Sequence, residues 1–200
     1  MSVRTAILIS GTGSNMAALL DDMARGSHPA APAVVIADRP DAPGLERAEA
    51  RGVPAVVVER KAFPGRAAFE AALGAELARA RAELICLAGF MRILTPGFVQ
   101  RRAGRILNVH PSLLPLFPGL DTHARALEAG VAVHGCTVHE VTAELDAGPI
   151  LGQAAVPVHA GDTAGILAAR VQAAEHRLYP AVLRRVAAGV RARLPLLEAR

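Results

Sequence analysis

The sequence predicts an α/β protein: a doubly wound, mostly parallel sheet with helices on both faces and an antiparallel strand pair toward the C-terminus. Three observations predict it. Apolar, β-branched runs alternate with Ala-rich helical stretches, and continuous apolar runs are what strands buried on both faces require. A glycine loop, "ISGTGSN", joins the first such run to the first helical stretch, as in sheets that bind ligands at their carboxyl edge. Beyond Leu120 the texture changes, and "AVHGCTVHEV" alternates Val133, Gly135, Thr137 and His139 on one face.

The elements follow in order. "VRTAILIS" is strand one, and "SNMAALLDDMARG" is a helix closed by Gly26. "APAVVIAD" is strand two, and "PGLERAEARG" a short helix with Gly52 at its C-cap. "VPAVVVE" is strand three, followed by the long amphipathic helix "RAAFEAALGAELARARA". "ELICLAG" is strand four, a short helix around "PGFVQRRAG" comes next, and "RILNVH" is strand five. "DTHARALEAG" is helical, "PILGQAAVPV" is a strand paired antiparallel with the one before it, and the last helix, through "RVQAAEHRLYPAVLRRVAAG", is expected to kink near Pro180. One domain over residues 1–200 is expected, with a phosphate-binding half (1–105) and a catalytic half (106–200).

Composition narrows the function classes. The 200 residues are 52% hydrophobic, with net charge +4, which suits a globular chain with a sizeable core. Every basic residue except Lys61 is Arg, and no basic run exceeds two residues, so neither a polybasic tail nor a nucleic-acid surface is indicated. Cys86 and Cys136 lie in apolar surroundings and read as free thiols of a reducing compartment. The apolar run at the N-terminus is too short for a signal segment or a membrane span. The expected location is the cytoplasm, and the expected partners are small molecules.

The glycine loop offers an anion site. Gly11 and Gly13 permit a tight turn, and Ser14 and Asn15 suit a helix start, where free N–H groups attract an anion. A dinucleotide fingerprint wants glycine at position 16, which is Met16. Asp38, ending strand two, could still serve a ribose hydroxyl, so a nicotinamide dehydrogenase is an alternative. A non-catalytic nucleotide sensor is another, and a loop that needs only its turn is a third.

The second candidate is "ILNVHPSLLPLFPGL". Side chains two apart on a strand share a face, so Asn108 and His110 point together from the end of strand five. Pro111, Pro115 and Pro118 stiffen the exit. An Asn amide can donate to a developing oxyanion, and a His can move a proton near neutral pH. Asp146, in "ELDAGPI", could orient or charge the His. His134 and His139, five apart on one strand, should face opposite sides, and no spacing suggests a metal site.

"ISGTGSN", "LAGFMRIL", "LNVHPSLLPLFPG" and "ELDAGPI" occur in the order and spacing of a known family. Over nearly its whole length the chain resembles the phosphoribosylglycinamide formyltransferases, folate-dependent enzymes of purine synthesis. "HPSLLP" and "LDAGP" are shared with methionyl-tRNA formyltransferase and formyltetrahydrofolate deformylase, whereas "SGTGSN" is the narrower signal. The resemblance implies 10-formyltetrahydrofolate as co-substrate, no metal, and a monomer or homodimer. It implies Asn108, His110 and Asp146 as the catalytic trio, with Asp146 keeping His110 protonated. Gly13, Ser14, Asn15, Gln172 and Glu175 would hold the phosphoribosyl substrate. Arg66, Met91, Arg92, Ile93 and Leu94 would border the folate, together with Asn108, Val141 and Glu144 of the loop that ends at Asp146. A cis peptide at Leu114–Pro115 is also implied. Leu116 and Asp121 depart from relatives that can carry Lys and His there, which bears on rim contacts.

Overall fold

A computed structural model describes residues 2–198. Eight strands form one sheet in the order β3-β2-β1-β4-β5-β6-β7-β8. These are β1 (Val3–Ile9), β2 (Ala30–Ala37), β3 (Ala55–Val57), β4 (Leu84–Leu87), β5 (Ile106–His110), β6 (Val133–Glu140), β7 (Ile150–Pro157) and β8 (Leu197–Glu198). The first five run parallel. The helices are α1 (Ser14–Met23), α2 (Gly44–Glu49), α3 (Arg66–Arg79), α4 (Pro96–Gln100), α5 (Thr122–Glu128) and α6 (Ala164–Ala187).

Strand alternation splits the core in two. Ile7, Ile9, Val35, Ala37, Leu107 and Val109 meet Met16 and Leu19 of α1 and Leu167, Val171 and Leu178 of α6. Their sequence neighbours Ala6, Leu8, Val34, Ile36 and Ile106 point the other way, onto Phe69, Leu73 and Leu77 of α3 and Phe98 of α4. This two-sided burial is why the strands read as unbroken apolar runs. Tyr179 of α6 lies fully buried under the sheet and donates its hydroxyl to the carbonyls of Leu87 and Leu107. Cys86 and Cys136 are free thiols within the first core, fully shielded from solvent. Among the described residues, no helix is long and apolar enough to cross a membrane.

The antiparallel β6–β7 pair is as expected. The structure adds that β5 and β6 are also antiparallel, and that β8 and a 3-10 turn at Arg60–Ala62 exist. The last helix, α6, runs through Pro180, the position where a kink is expected. Pro180 removes one donor to the preceding turn, but the proline and its neighbours Leu178, Tyr179, Val182 and Leu183 are buried, and that packing holds the helix together.

Beyond α4, the 111–118 segment lies over β6 and β7. Thr137 Oγ1 accepts from Leu114 N at 3.0 Å and donates to Ser112 O at 2.7 Å, while Gln153 Nε2 donates to Leu114 O at 2.9 Å. The Leu114–Pro115 peptide is cis, as expected. Gly135 makes room for this covering segment, since a Cβ there would stand 2.0 Å from Ala154 O and 2.9 Å from Leu113 Cδ2. Gly135→Ala should therefore destabilise the protein by about 1–3 kcal/mol, the usual cost of overpacking. Urea unfolding measures this, and an unchanged midpoint would show that β6 and β7 part without cost.

Candidate active site

Asn108 and His110 continue the face of β5 that begins with Ile106 in the α3–α4 core. In the β5–β6 register Asn108 lies opposite His139, and His110 opposite Thr137. Opposed residues share a face, so the antiparallel pairing sets four polar side chains side by side where the apolar face ends. Asp146, at φ 52°, brings its carboxylate onto the same group.

Asp146 Oδ2 accepts from Gly119 N at 2.9 Å and lies 3.4 Å from His110 Nδ1. The other ring nitrogen of His110 donates to the Phe117 carbonyl at 3.0 Å. Both nitrogens thus face acceptors. The side chains of His110 and Asp146 are each 7% exposed, so the pair is shielded from bulk water but can be reached from one side.

His139 belongs to this group, although the sequence offered it only as a weak metal candidate. Its Nδ1 lies 2.9 Å from Glu140 O and therefore carries the proton. Its Nε2 is then left to accept from Asn108 Nδ2 at 3.2 Å. Burial holds the His139 imidazole below its ordinary pKa, which keeps the accepting nitrogen bare. This bond fixes the direction of the Asn108 amide. The signal available in the sequence was the shared parity of His139 and Thr137. What was missing was which strand β6 pairs with.

His134 faces the opposite side of the sheet, as expected. Its ring meets those of His123 and Phe117 edge-on at 5.3 and 5.9 Å, and burial pushes it down to about 4. Among the described residues, no group of His, Cys, Asp and Glu is arranged to hold a metal ion.

The glycine loop lies at the same carboxyl edge of the sheet. Gly13 adopts φ 69°, and a Cβ there would stand 3.0 Å from the Gly44 Cα, so its backbone packs on backbone. Ser14 and Asn15 open α1 and meet α6. Gln172 Nε2 donates to Ser14 Oγ at 3.1 Å, and Asn15 Nδ2 donates to Glu175 Oε2 at 2.7 Å. The structure therefore joins all five residues assigned to the phosphoribosyl substrate. Met16 is fully buried in the core. Asp38 is held by the Arg92 guanidinium, so the carboxylate that a dinucleotide reading would place on a ribose is already engaged.

The residues assigned to a folate are spread more widely. Met91 and Ile93 are exposed at 70% and 62%, while Leu94 is buried in the α3–α4 core. Val141 packs against that core, Glu144 is exposed, and Arg66 is exposed at the start of α3. Exposed Leu116, Leu120 and Leu145 add to the apolar surface of the loops beside Asp146 and Gly119.

An amide donor, an imidazole and a carboxylate side by side, at the same sheet edge as a glycine loop that opens a helix, suit an acyl-group transfer site. Sequence and structure comparisons agree with that class. The chain belongs to the formyl transferase family, which it matches over residues 3–183. Within the family, its relatives include the phosphoribosylglycinamide formyltransferase of Escherichia coli K12, 47% identical over 177 residues that make up 88% of this chain and 84% of that one. The human trifunctional purine biosynthetic protein adenosine-3 is 47% identical over 93% of this chain. The chain spans 14–19% of the length of that set of trifunctional relatives. The crystal structure of phosphoribosylglycinamide formyltransferase from Brucella melitensis superposes with a TM-score of 0.91 at 53% identity, covering 95% of this chain and 98% of that one.

Glu175 provides a test of the α1–α6 contact. It is 7% exposed, and burial raises its pKa against the opposing effect of the Asn15 hydrogen bond. The folded form therefore binds this proton more tightly than the unfolded chain does. Its contribution to stability is greatest below the ordinary carboxylate range and falls as pH rises toward the folded value. Glu175→Gln keeps an acceptor for Asn15 and removes the charge. The variant should melt higher than wild type near neutral pH, and the difference should shrink toward about pH 4. Melting curves between about pH 4 and about pH 8 decide it, and a constant difference would show that Glu175 ionises freely.

Proposed function

We propose that this chain transfers the formyl group of 10-formyltetrahydrofolate to the amine of N1-(5-phospho-D-ribosyl)glycinamide, a step of de novo purine synthesis. The observation that carries the reading is the grouping of Asn108, His110 and Asp146 on one face at the end of β5. The names of the relatives supply the substrate pair, and the glycine loop closed by Ser14 and Gln172 suits a single phosphate.

The amine nitrogen attacks the formyl carbon, and the carbonyl π pair moves onto oxygen. Asn108 donates its amide N–H to that oxyanion, with its orientation set by His139. His110, protonated opposite Asp146, stabilises the same charge. Collapse re-forms the carbonyl and breaks the bond to the folate nitrogen. The amine gives up one proton and the folate nitrogen gains one, relayed by His110, Asp146 or a water between them. Met91, Arg92, Ile93, Leu94, Val141 and Glu144 form the folate side of the cleft, with Arg66 at its margin. The reading carries with it a cytoplasmic enzyme of small molecules, monomeric or a homodimer, whose residues 1–105 mainly hold phosphate and whose residues 106–200 mainly carry the chemistry.

Purified protein should form the formylated ribonucleotide and tetrahydrofolate with no nicotinamide present. His110→Ala should lower kcat at least ~10²-fold, the usual share of a general acid–base group, with little change in ribonucleotide affinity. An unaltered kcat would leave His110 a structural residue.

Asn15→Asp places a carboxylate where the phosphate would lie. KM for the ribonucleotide should rise about 10-fold or more while kcat changes less, as when binding common to ground and transition states is lost. Initial rates over both substrate concentrations separate the two effects. An unmoved KM would place the phosphate elsewhere.

A further inference from the structure

At the opposite end of the sheet from the site just described, a cavity of about 240 Å³ opens between the C-terminal ends of α3 and α4 and the starts of β4 and β5. Arg81, Arg101, Arg102 and Arg105 line it, together with Glu83. Arg105 immediately precedes β5, so the cavity lies roughly 15 Å from His110 at the rise of an extended strand.

The Arg105 and Arg102 guanidinium groups are placed by neutral partners. Arg105 Nη2 donates to Arg101 O at 2.8 Å. The Arg102 guanidinium stacks 3.8 Å over the Phe98 ring. Room for it comes from Gly74, where a Cβ would stand 3.1 Å from Nη2. Arg81 sits at φ 50° just past the end of α3, where Arg81 N and Ala82 N close the helix onto Ala78 O and Leu77 O. Glycine is the ordinary residue of that position, and here a charged side chain occupies it.

Among the described residues, none of these four arginines lies within ion-pair distance of a carboxylate. Glu83 accepts from the Arg4 backbone N–H at 2.9 Å. Burial, followed by repulsion from Arg101 and Arg105, lowers the Arg102 pKa against the opposing attraction of Glu70. Some arginines elsewhere on this surface find acids, as Arg79 finds Glu76 and Arg170 finds Asp162. Four arginines thus surround one concavity with a single carboxylate residue, Glu83, in the same lining.

We propose that this cavity is a second ligand site, separate from the catalytic cleft, that takes a compact phosphate oxyanion of the diphosphate class. The planar guanidinium fork matches phosphate oxygens in pairs. Several arginines in so small a space call for a ligand with several negative charges close together. The volume falls below the range of sites that enclose drug-sized molecules, so a diphosphate group fits within it, whether free or as the end of a larger molecule.

Inorganic pyrophosphate is the probe. Added to wild type, it should raise Tm in a saturable way and shift the backbone amide signals of Gly74, Ala82 and Arg105. Arg81→Gly with Arg105→Ala should weaken binding at least about 10-fold, as expected when charge-assisted hydrogen bonds are lost. Glycine suits the backbone at residue 81, so that change leaves folding secure, and unliganded Tm checks it. The glycine loop could also take the probe, so the titration is repeated on Asn15→Asp. A retained response there, with signals moving around Arg105, supports the site. The proposal is overturned if wild type shows no saturable response. It is equally overturned if Asn15→Asp abolishes the response while the arginine variant keeps it.

Discussion

One buried carboxylate organises the reactive end of this molecule. Asp146 receives Gly119 N, faces His110 of β5 and lies 3.8 Å from His139 Nε2 of β6. The end of β5, the turn that follows it and the end of β6 thereby gather around one carboxylate. A buried charge without such partners would cost several kcal/mol, so the loop carrying Asp146 has to return to the sheet in one way. It does so through Gly148, where a Cβ would stand 1.8 Å from Glu140 O, and through Glu140 N, which donates to Pro149 O at 2.9 Å. Asp146 adopts a left-handed backbone to complete the arrangement, a conformation that Asp tolerates better than most residues.

The rule that builds the core also builds the site. Alternation sends Leu107 and Val109 into the α1–α6 core and sends Ile106, Asn108 and His110 the other way. On the second face α3 and α4 cover the apolar positions, and the 111–118 segment covers β6 and β7 beyond them. Polar groups there are satisfied by one another and by backbone, as Thr137 and Gln153 illustrate. The site is thus a continuation of the sheet's packing in polar residues, which gives it the rigidity of the strands.

Much of this was legible in the sequence for a physical reason. Strands buried on both faces leave continuous apolar runs, so β1 to β5 and their parallel order could be read directly. Asn108 and His110 could be read because a two-residue spacing on a strand needs no knowledge of the partner strand. His139 could not, because its place beside Asn108 depends on β6 pairing antiparallel with β5, and local pattern does not encode that choice. The Asp38–Arg92 pair joins residues 54 apart and leaves no periodic trace. β8 could not be read either, because it is two residues long, too short to show a period.

The burial of both cysteines has a consequence for the chemistry of oxidative wear. Thiolate, not thiol, is the form that oxidants and alkylating agents attack. Cys86 is enclosed beside Tyr179, and burial pushes its thiol up to about 12. Cys136 is likewise shielded and pushed up. Neither sulfur can readily start along the path from sulfenic acid to disulfide. Among the described residues, the methionine sulfurs of Met16 and Met23 are enclosed as well, whereas Met91 is 70% exposed. Among the described residues, the sulfur most open to peroxide is therefore that of Met91, in the stretch proposed to border the folate. Its sulfoxide would place a polar, chiral group there, so oxidative ageing would register at that exposed stretch, with the enclosed sulfurs left intact.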